Sequence, residues 1–157
     1  MSNLDFAIGF IAGEGSFTLS MNVARGKRYP RVRCVVTIHK KDLDALYECQ
    51  EAFDGIGTIS HKKGHGTVQW VVRSKEDIEH LRDKIKENAP SAWYKTEKHR
   101  NFEVWSDILD IHIDGRTNPT EAIEMAKLAR DGLNIDNGIT EEKWNEYIAH
   151  LEERRNG

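Results

Sequence analysis

Three prolines, two cysteines and no apolar stretch longer than eight residues mark this chain of 157 residues, and each shortage removes a class of structure. A membrane-crossing helix needs about 20 apolar residues, so none is expected. Two cysteines are too few for a disulfide scaffold or a four-thiolate metal site. Cys34 and Cys49 fall on the inward sides of a predicted strand and helix and read as buried free thiols. No signal peptide or low-complexity tract is expected. The expected setting is reducing and cytoplasmic, or organellar if the host gene is organellar. Net positive charge is also lacking, since the total is -3 at pH 7. That total hides a division. Residues 16–75 hold eleven Lys and Arg against five acids, a net of +6, whereas residues 101–157 hold six against thirteen, a net of -7. Such asymmetry is expected when one face of a small domain meets phosphates.

The one long apolar run, Phe6–Gly13, leads straight into Glu14-Gly15-Ser16-Phe17. On a helical wheel Leu4, Ile8 and Ile11 fill one side, Phe6 and Phe10 a second, and Gly9, Ala12 and Gly13 the rest. A helix with no polar face is buried all round. Gly9 and Gly13, four apart, allow another backbone to come close. The simplest arrangement covers one side with the chain's own core and the other with the same helix of a second copy. Ala7, Gly9, Phe10, Ala12 and Gly13 then form the seam, with Glu14 at its mouth.

After this helix the hydrophobic period changes to two. Residues 16–23 alternate, with Phe17, Leu19, Met21 and Val23 inward; residues 25–30 form a basic turn; residues 31–39 alternate again, with Val32, Cys34, Val36 and Ile38 inward. That is a hairpin. A helix is predicted over 42–53, a second hairpin over 57–73 with its tip at 63–66, and further helices over 74–86, 102–111, 119–130 and 141–154. Ser74 and Asp77 read as a variant capping box. Asn118-Pro119-Thr120-Glu121 reads as a helix start. The competing reading of Asp110 to Glu121 as a calcium loop would need an oxygen ligand where His112 stands. His61 and His65 lack a third ligand nearby for zinc.

The stretch Ala7–Gly15, which overlaps the segment Gly9-Phe10-Ile11-Ala12-Gly13-Glu14-Gly15-Ser16-Phe17, resembles the LAGLIDADG motif of homing endonucleases. Ala12 stands where that family most often has Asp. Three later landmarks resemble the family in the same order: Ile38-His39-Lys40-Lys41-Asp42, Gly55-Ile56-Gly57-Thr58-Ile59, and the segment from Tyr94 to Phe102. The resemblance implies an α+β fold of the αββαββα type with a four-stranded antiparallel DNA-binding saddle. The corresponding division is a core over residues 1–115 and a C-terminal helical extension over 116–157, packed on the same domain. It implies a metal-dependent, site-specific double-strand DNA endonuclease. The class-distinct alternative is a DNA- or RNA-binding regulator or intron-splicing maturase that no longer cuts. Leu109–Gly115 has only a faint likeness to the motif, so a single copy is present, and a homodimer on a near-palindromic site is expected. No small-molecule cofactor is expected.

By the same resemblance Glu14 is the metal-binding acid and the Gly13 carbonyl an additional ligand. Lys40 falls where the family often has Gln, a position that can orient water or contact phosphate, and Lys98 falls at a basic position near the active site; either lysine can stabilise developing negative charge. Mg²⁺ prefers few carboxylates, with water and phosphate oxygens completing its shell, so one acid per copy suffices; Mn²⁺ or Ca²⁺ could occupy the same site. On the outward strand faces Thr18, Ser20, Asn22, Arg31, Arg33, Thr37, Ser60, Lys62, Gln69 and Arg73 carry the donors and acceptors that read base edges. Arg25, Lys27, Arg28, Lys63 and His65, at hairpin ends, read as phosphate contacts.

Overall fold

A computed structural model of the chain describes residues 3–24, 27–62, 64–114, 118–133 and 139–157, with side chains for all but 22–24, 27–29 and 114. The elements run α1 (Asn3–Glu14), β1 (Gly15–Ala24), β2 (Lys27–His39), a 3₁₀ turn (Lys40–Asp42), α2 (Leu43–Ala52), β3 (Thr58–Lys62) and β4 (Thr67–Val72). They continue with α3 (Lys75–Asn88), a second 3₁₀ turn (Ser91–Lys95), α4 (Glu97–Asp114), α5 (Pro119–Gly132) and α6 (Glu141–Asn156). The sheet order is β1-β2-β4-β3. This is the expected order of helix, hairpin, helix, hairpin and further helices. Among the described residues no helix is long and apolar enough to cross a membrane.

By internal packing the chain divides into two units, residues 1–16 with 33–100, and residues 17–32 with 101–157. In the first, α1 buries Ala7, Ile8 and Ile11, while Val36, Ile38, Val68, Trp70 and Val72 are the buried half of alternating strands. Antiparallel pairing places Thr37 opposite Gln69 and Ser60 opposite Gln69, so the three lie in one row across β2, β4 and β3. The loop entering β3 is tied down by side chains. Gln50 Nε2 donates to the carbonyls of Ile56 and Gly57 at 3.3 and 3.2 Å, and Trp70 Nε1 donates to Ile56 at 2.9 Å. Ser74 caps α3 by accepting from the Asp77 N–H at 3.1 Å. The Asp77 carboxylate accepts the Gly57 N–H at 3.4 Å, a bond that ties the cap to the entry of β3.

In the second unit the Phe17 ring packs on Phe102 and Trp105, with centroids 5.2 and 4.9 Å away. The small buried residues Ala122, Ala126 and Ala129 on α5 let α6 approach with Trp144, Ile148 and Leu151. Removing Trp144 to alanine would cost about 3–5 kcal/mol by the usual large-to-small arithmetic. Asn118 caps α5 by accepting the Glu121 N–H at 2.9 Å, with Pro119 in the first turn. Asp110–Asp114 is helical, so the helix-start reading holds and the calcium-loop reading does not.

Two boundaries differ from expectation. β2 begins at Lys27, four residues before the alternation that was predicted from Arg31. α4 begins at Glu97, five residues before its apolar periodicity. The reason for the second is local: Thr96 Oγ1 donates to the Trp93 carbonyl at 2.7 Å and accepts the His99 N–H at 3.1 Å, which makes Thr96 the cap.

Candidate nucleic-acid interface and metal centre

Glu14 is the last residue of α1 and is exposed. The chain turns immediately into β1 at Gly15, where an added Cβ would lie 2.8 Å from the Ile11 carbonyl oxygen; a side chain there would push the acid out of place. A carboxylate at a helix C-terminus is electrostatically unfavourable and calls for a cation. Lys98, in the first turn of α4, supplies one. Its Nζ donates to the Gly15 carbonyl, across 83 residues of sequence, and so holds a positive charge one residue beyond Glu14. Lys40 opens the turn after β2 and is exposed; its backbone N–H donates to the Gly66 carbonyl at 3.0 Å, which fixes the turn against the β3–β4 tip.

The outer face of α1 is open in the single chain. Nothing lies within 4 Å of a Cβ added at Gly9 or Gly13. Phe6 is 44% exposed and packs against Phe10 at a tilt of 42°, with centroids 5.6 Å apart. Ala12 and Gly9 also line an apolar cavity of about 110 Å³ with Ile8, Pro90, Trp93 and Thr96. Of the expected seam residues, Ala7 alone is fully buried, facing the chain's own core.

The predicted DNA contacts divide between the units. In the first, Thr37 and Gln69 are bonded to each other at 3.2 Å, Gln69 Nε2 donating to Thr37 Oγ1. Ser60, Lys62, His65 and Arg73 are exposed, and Arg33 is half-buried. In the second, Thr18 and Ser20 are half-buried opposite Phe17 and Leu19, and Arg31 is exposed. Asn22, Lys27 and Arg28 lie on strands but their side chains are outside those described, and Arg25 and Lys63 lie outside the described residues. Sequence reading gave no role to His39 and Thr67, although their alternation with Ile38 and Val68 puts both on the same outward face.

Among the described residues no three His, Cys, Asp or Glu side chains cluster as a metal site. A single exposed carboxylate beside a helix-end carbonyl fits Mg²⁺, which takes few protein ligands. Both cysteines are free and buried, and burial, with Glu48 nearby, pushes the Cys49 thiol up to about 11. Away from this region Asp54 Oδ2 accepts from Lys84 Nζ and contacts His80 Nε2, both at 2.7 Å. The Lys84 bond, then the His80 bond, holds its carboxyl below the ordinary range.

Residues 7–109 match the family model described as LAGLIDADG endonuclease. The chain belongs to the LAGLIDADG endonuclease family. This LAGLIDADG chain is 30% identical, over 76 residues, to a Neurospora crassa protein named Probable intron-encoded endonuclease 3. The match covers 46% of this chain and 14% of the relative. Among solved structures, the homing endonuclease I-TnaI has a TM-score of 0.79 at 19% identity, covering 96% of this chain and 98% of that one. The archaeal intron-encoded homing endonuclease I-Vdi141I, solved with DNA, has a TM-score of 0.81 at 23% identity, covering 97% and 96%. I-SmaMI bound to cleaved DNA has a TM-score of 0.76 at 21% identity and covers 94% of this chain but 48% of its own. At these identities the LAGLIDADG fold is what the structures share with this chain.

Proposed function

We propose that this LAGLIDADG chain is a site-specific double-strand DNA endonuclease, dependent on a divalent metal, that works as a homodimer on a near-palindromic site. The observation that carries the reading is the bond from Lys98 Nζ to the Gly15 carbonyl, one residue beyond exposed Glu14 at the end of α1. Glu14, with the Gly13 carbonyl, would hold the metal, and Mg²⁺ is the proposed ion. When bound, such an ion supplies charge neutralisation at the phosphate and a more acidic water. Lys98 is kept from swinging into solvent by the Gly15 carbonyl, so its charge is preorganised for the oxyanion that develops on the phosphate. Lys40 adds a second cation.

A single acid is half of what two strand cuts require. The open glycine strip of α1, flanked by exposed Phe6, supports burial against the same helix of a second copy. The matched share of I-SmaMI, 48% of that chain, is the proportion expected if two copies of this chain do the work of one longer one. Residues 1–115 would form the endonuclease core and residues 116–157 its helical extension. Outward Arg, Gln, Ser and Thr on the strands of both units would read bases, with lysines and His65 on phosphates. The test combines sedimentation with binding to double-stranded DNA at several salt concentrations. A dimer whose affinity falls on the order of a thousand-fold between 50 and 200 mM salt is expected. A monomer with salt-independent, weak binding would sink the proposal.

A further inference from the structure

Two rows of outward side chains cross the same three strands in register. Thr37, Gln69 and Ser60 form one; two residues further along β2, His39, Thr67 and Lys62 form the next. Ile38 and Val68, which separate the rows on β2 and β4, are buried, so His39, Thr67, Thr37 and Gln69 share the opposite face, and Ser60 and Lys62 join it by register.

The hydrogen bonds give the rows different polarity. His39 Nδ1 accepts the Lys41 N–H at 3.1 Å. In the neutral imidazole the other nitrogen must then carry the proton, so the ring's remaining group is the Nε2–H donor. Lys62 adds donors and no acceptor. Thr67 Oγ1, between them, is buried and has no hydrogen-bond partner among the described residues, so it consumes neither donor. In the other row, the Gln69 amide spends one N–H on Thr37 Oγ1, which fixes its orientation. Its Oε1 acceptor and second N–H donor remain side by side.

These polarities match two different purines. Guanine shows two acceptors in the major groove, N7 and O6; adenine shows the N7 acceptor beside the N6 donor. We infer that His39 is a base-reading residue acting through Nε2–H, that the His39–Lys62 row selects guanine, and that Gln69 selects adenine. The rows are two residues apart along the strand, about 6.7 Å, which is about two base-pair steps of ~3.4 Å. The inference rests on the proposal that this sheet face contacts DNA.

The test is selection from a randomised duplex library by the full chain, by His39→Ala and by Gln69→Ala. The unmodified protein should enrich a guanine and, about two steps away, an adenine. His39→Ala should lose roughly ten-fold of the guanine preference and keep the adenine preference, and Gln69→Ala should do the reverse. A second measurement needs no variant: replacing the enriched guanine by 7-deazaguanine, which lacks N7, should weaken binding by the unmodified protein about five-fold or more. Equal affinity for the two duplexes overturns the inference, and so does a His39→Ala selection that returns the same preference at every position. Should the unmodified protein enrich no sequence and show no salt dependence, the DNA-binding proposal itself fails.

Discussion

Gly57 offers the sharpest check on how the recognition strands are held, because two glycines of one loop separate two costs. Gly55 and Gly57 both have left-handed backbone, at φ 78° and 77°. Around Gly55 there is nothing within 4 Å of an added Cβ; at Gly57 that atom would lie 2.6 Å from Trp70 Nε1 and 2.7 Å from the Val71 carbonyl oxygen. Gly55→Ala therefore incurs the left-handed penalty, about 1–2 kcal/mol, reduced by the stiffer unfolded chain, for a net near 1 kcal/mol. Gly57→Ala adds a collision with β4 of about 1–3 kcal/mol, for a total of roughly 2–4 kcal/mol. With a urea dependence of about 2 kcal/mol per molar, the midpoints should fall by about 0.5 M and 1–2 M respectively. Equilibrium unfolding followed by tryptophan fluorescence measures both. Equal shifts would refute the reasoning, since they would mean that β3 and its entry loop move away from Trp70 at no cost. The consequence for function is direct, because the same loop sets the register that aligns Ser60 with Gln69.

Two other outcomes concern the site, and a third the Asp54 cluster away from it. Lys98→Met should slow cleavage about 100-fold while leaving DNA affinity within a few-fold, because the lysine is argued to act on developing charge; single-turnover assays separate the two. Gly9→Leu should leave helix content nearly unchanged, since the strip is open in one chain, yet convert the dimer to monomer in sedimentation and abolish cutting. Asp54→Asn keeps a residue that tolerates φ 63° and an acceptor oxygen, but removes the negative charge that faces Lys84 and His80. The folded Asp54 carboxyl titrates below its ordinary value, so its stabilisation is present at neutral pH and is lost as pH falls through that depressed value. Urea midpoints of wild type and variant should differ at pH 7 and converge well below about pH 3.9.

Local periodicity carried most of the fold. The alternation of Phe17, Leu19 and Met21, and of Val68, Trp70 and Val72, placed those residues inside, and they are. The caps at Ser74 and Asn118 were legible because their partners lie three residues away. What escaped depends on distant or irregular contacts. Helix α4 starts early because Thr96 caps it from a 3₁₀ turn that has no hydrophobic period of its own. Asp77 serves the Gly57 N–H, twenty residues away, instead of completing a capping box. Lys98 was chosen by resemblance, whereas its fastening to the Gly15 carbonyl is a tertiary fact that no window of sequence contains. His39 was seen as outward, but its fixed tautomer depends on the tight turn that brings the Lys41 N–H back to it.

The central claim is that Glu14 holds the metal for DNA cleavage. It is tested most directly by giving wild type and Glu14→Gln the duplex that wild type selects, with and without Mg²⁺. The account predicts cutting of both strands by wild type only with the metal, and a rate at least about a thousand-fold lower for Glu14→Gln at nearly unchanged affinity. Metal-dependent cutting by Glu14→Gln at the wild-type rate would contradict it.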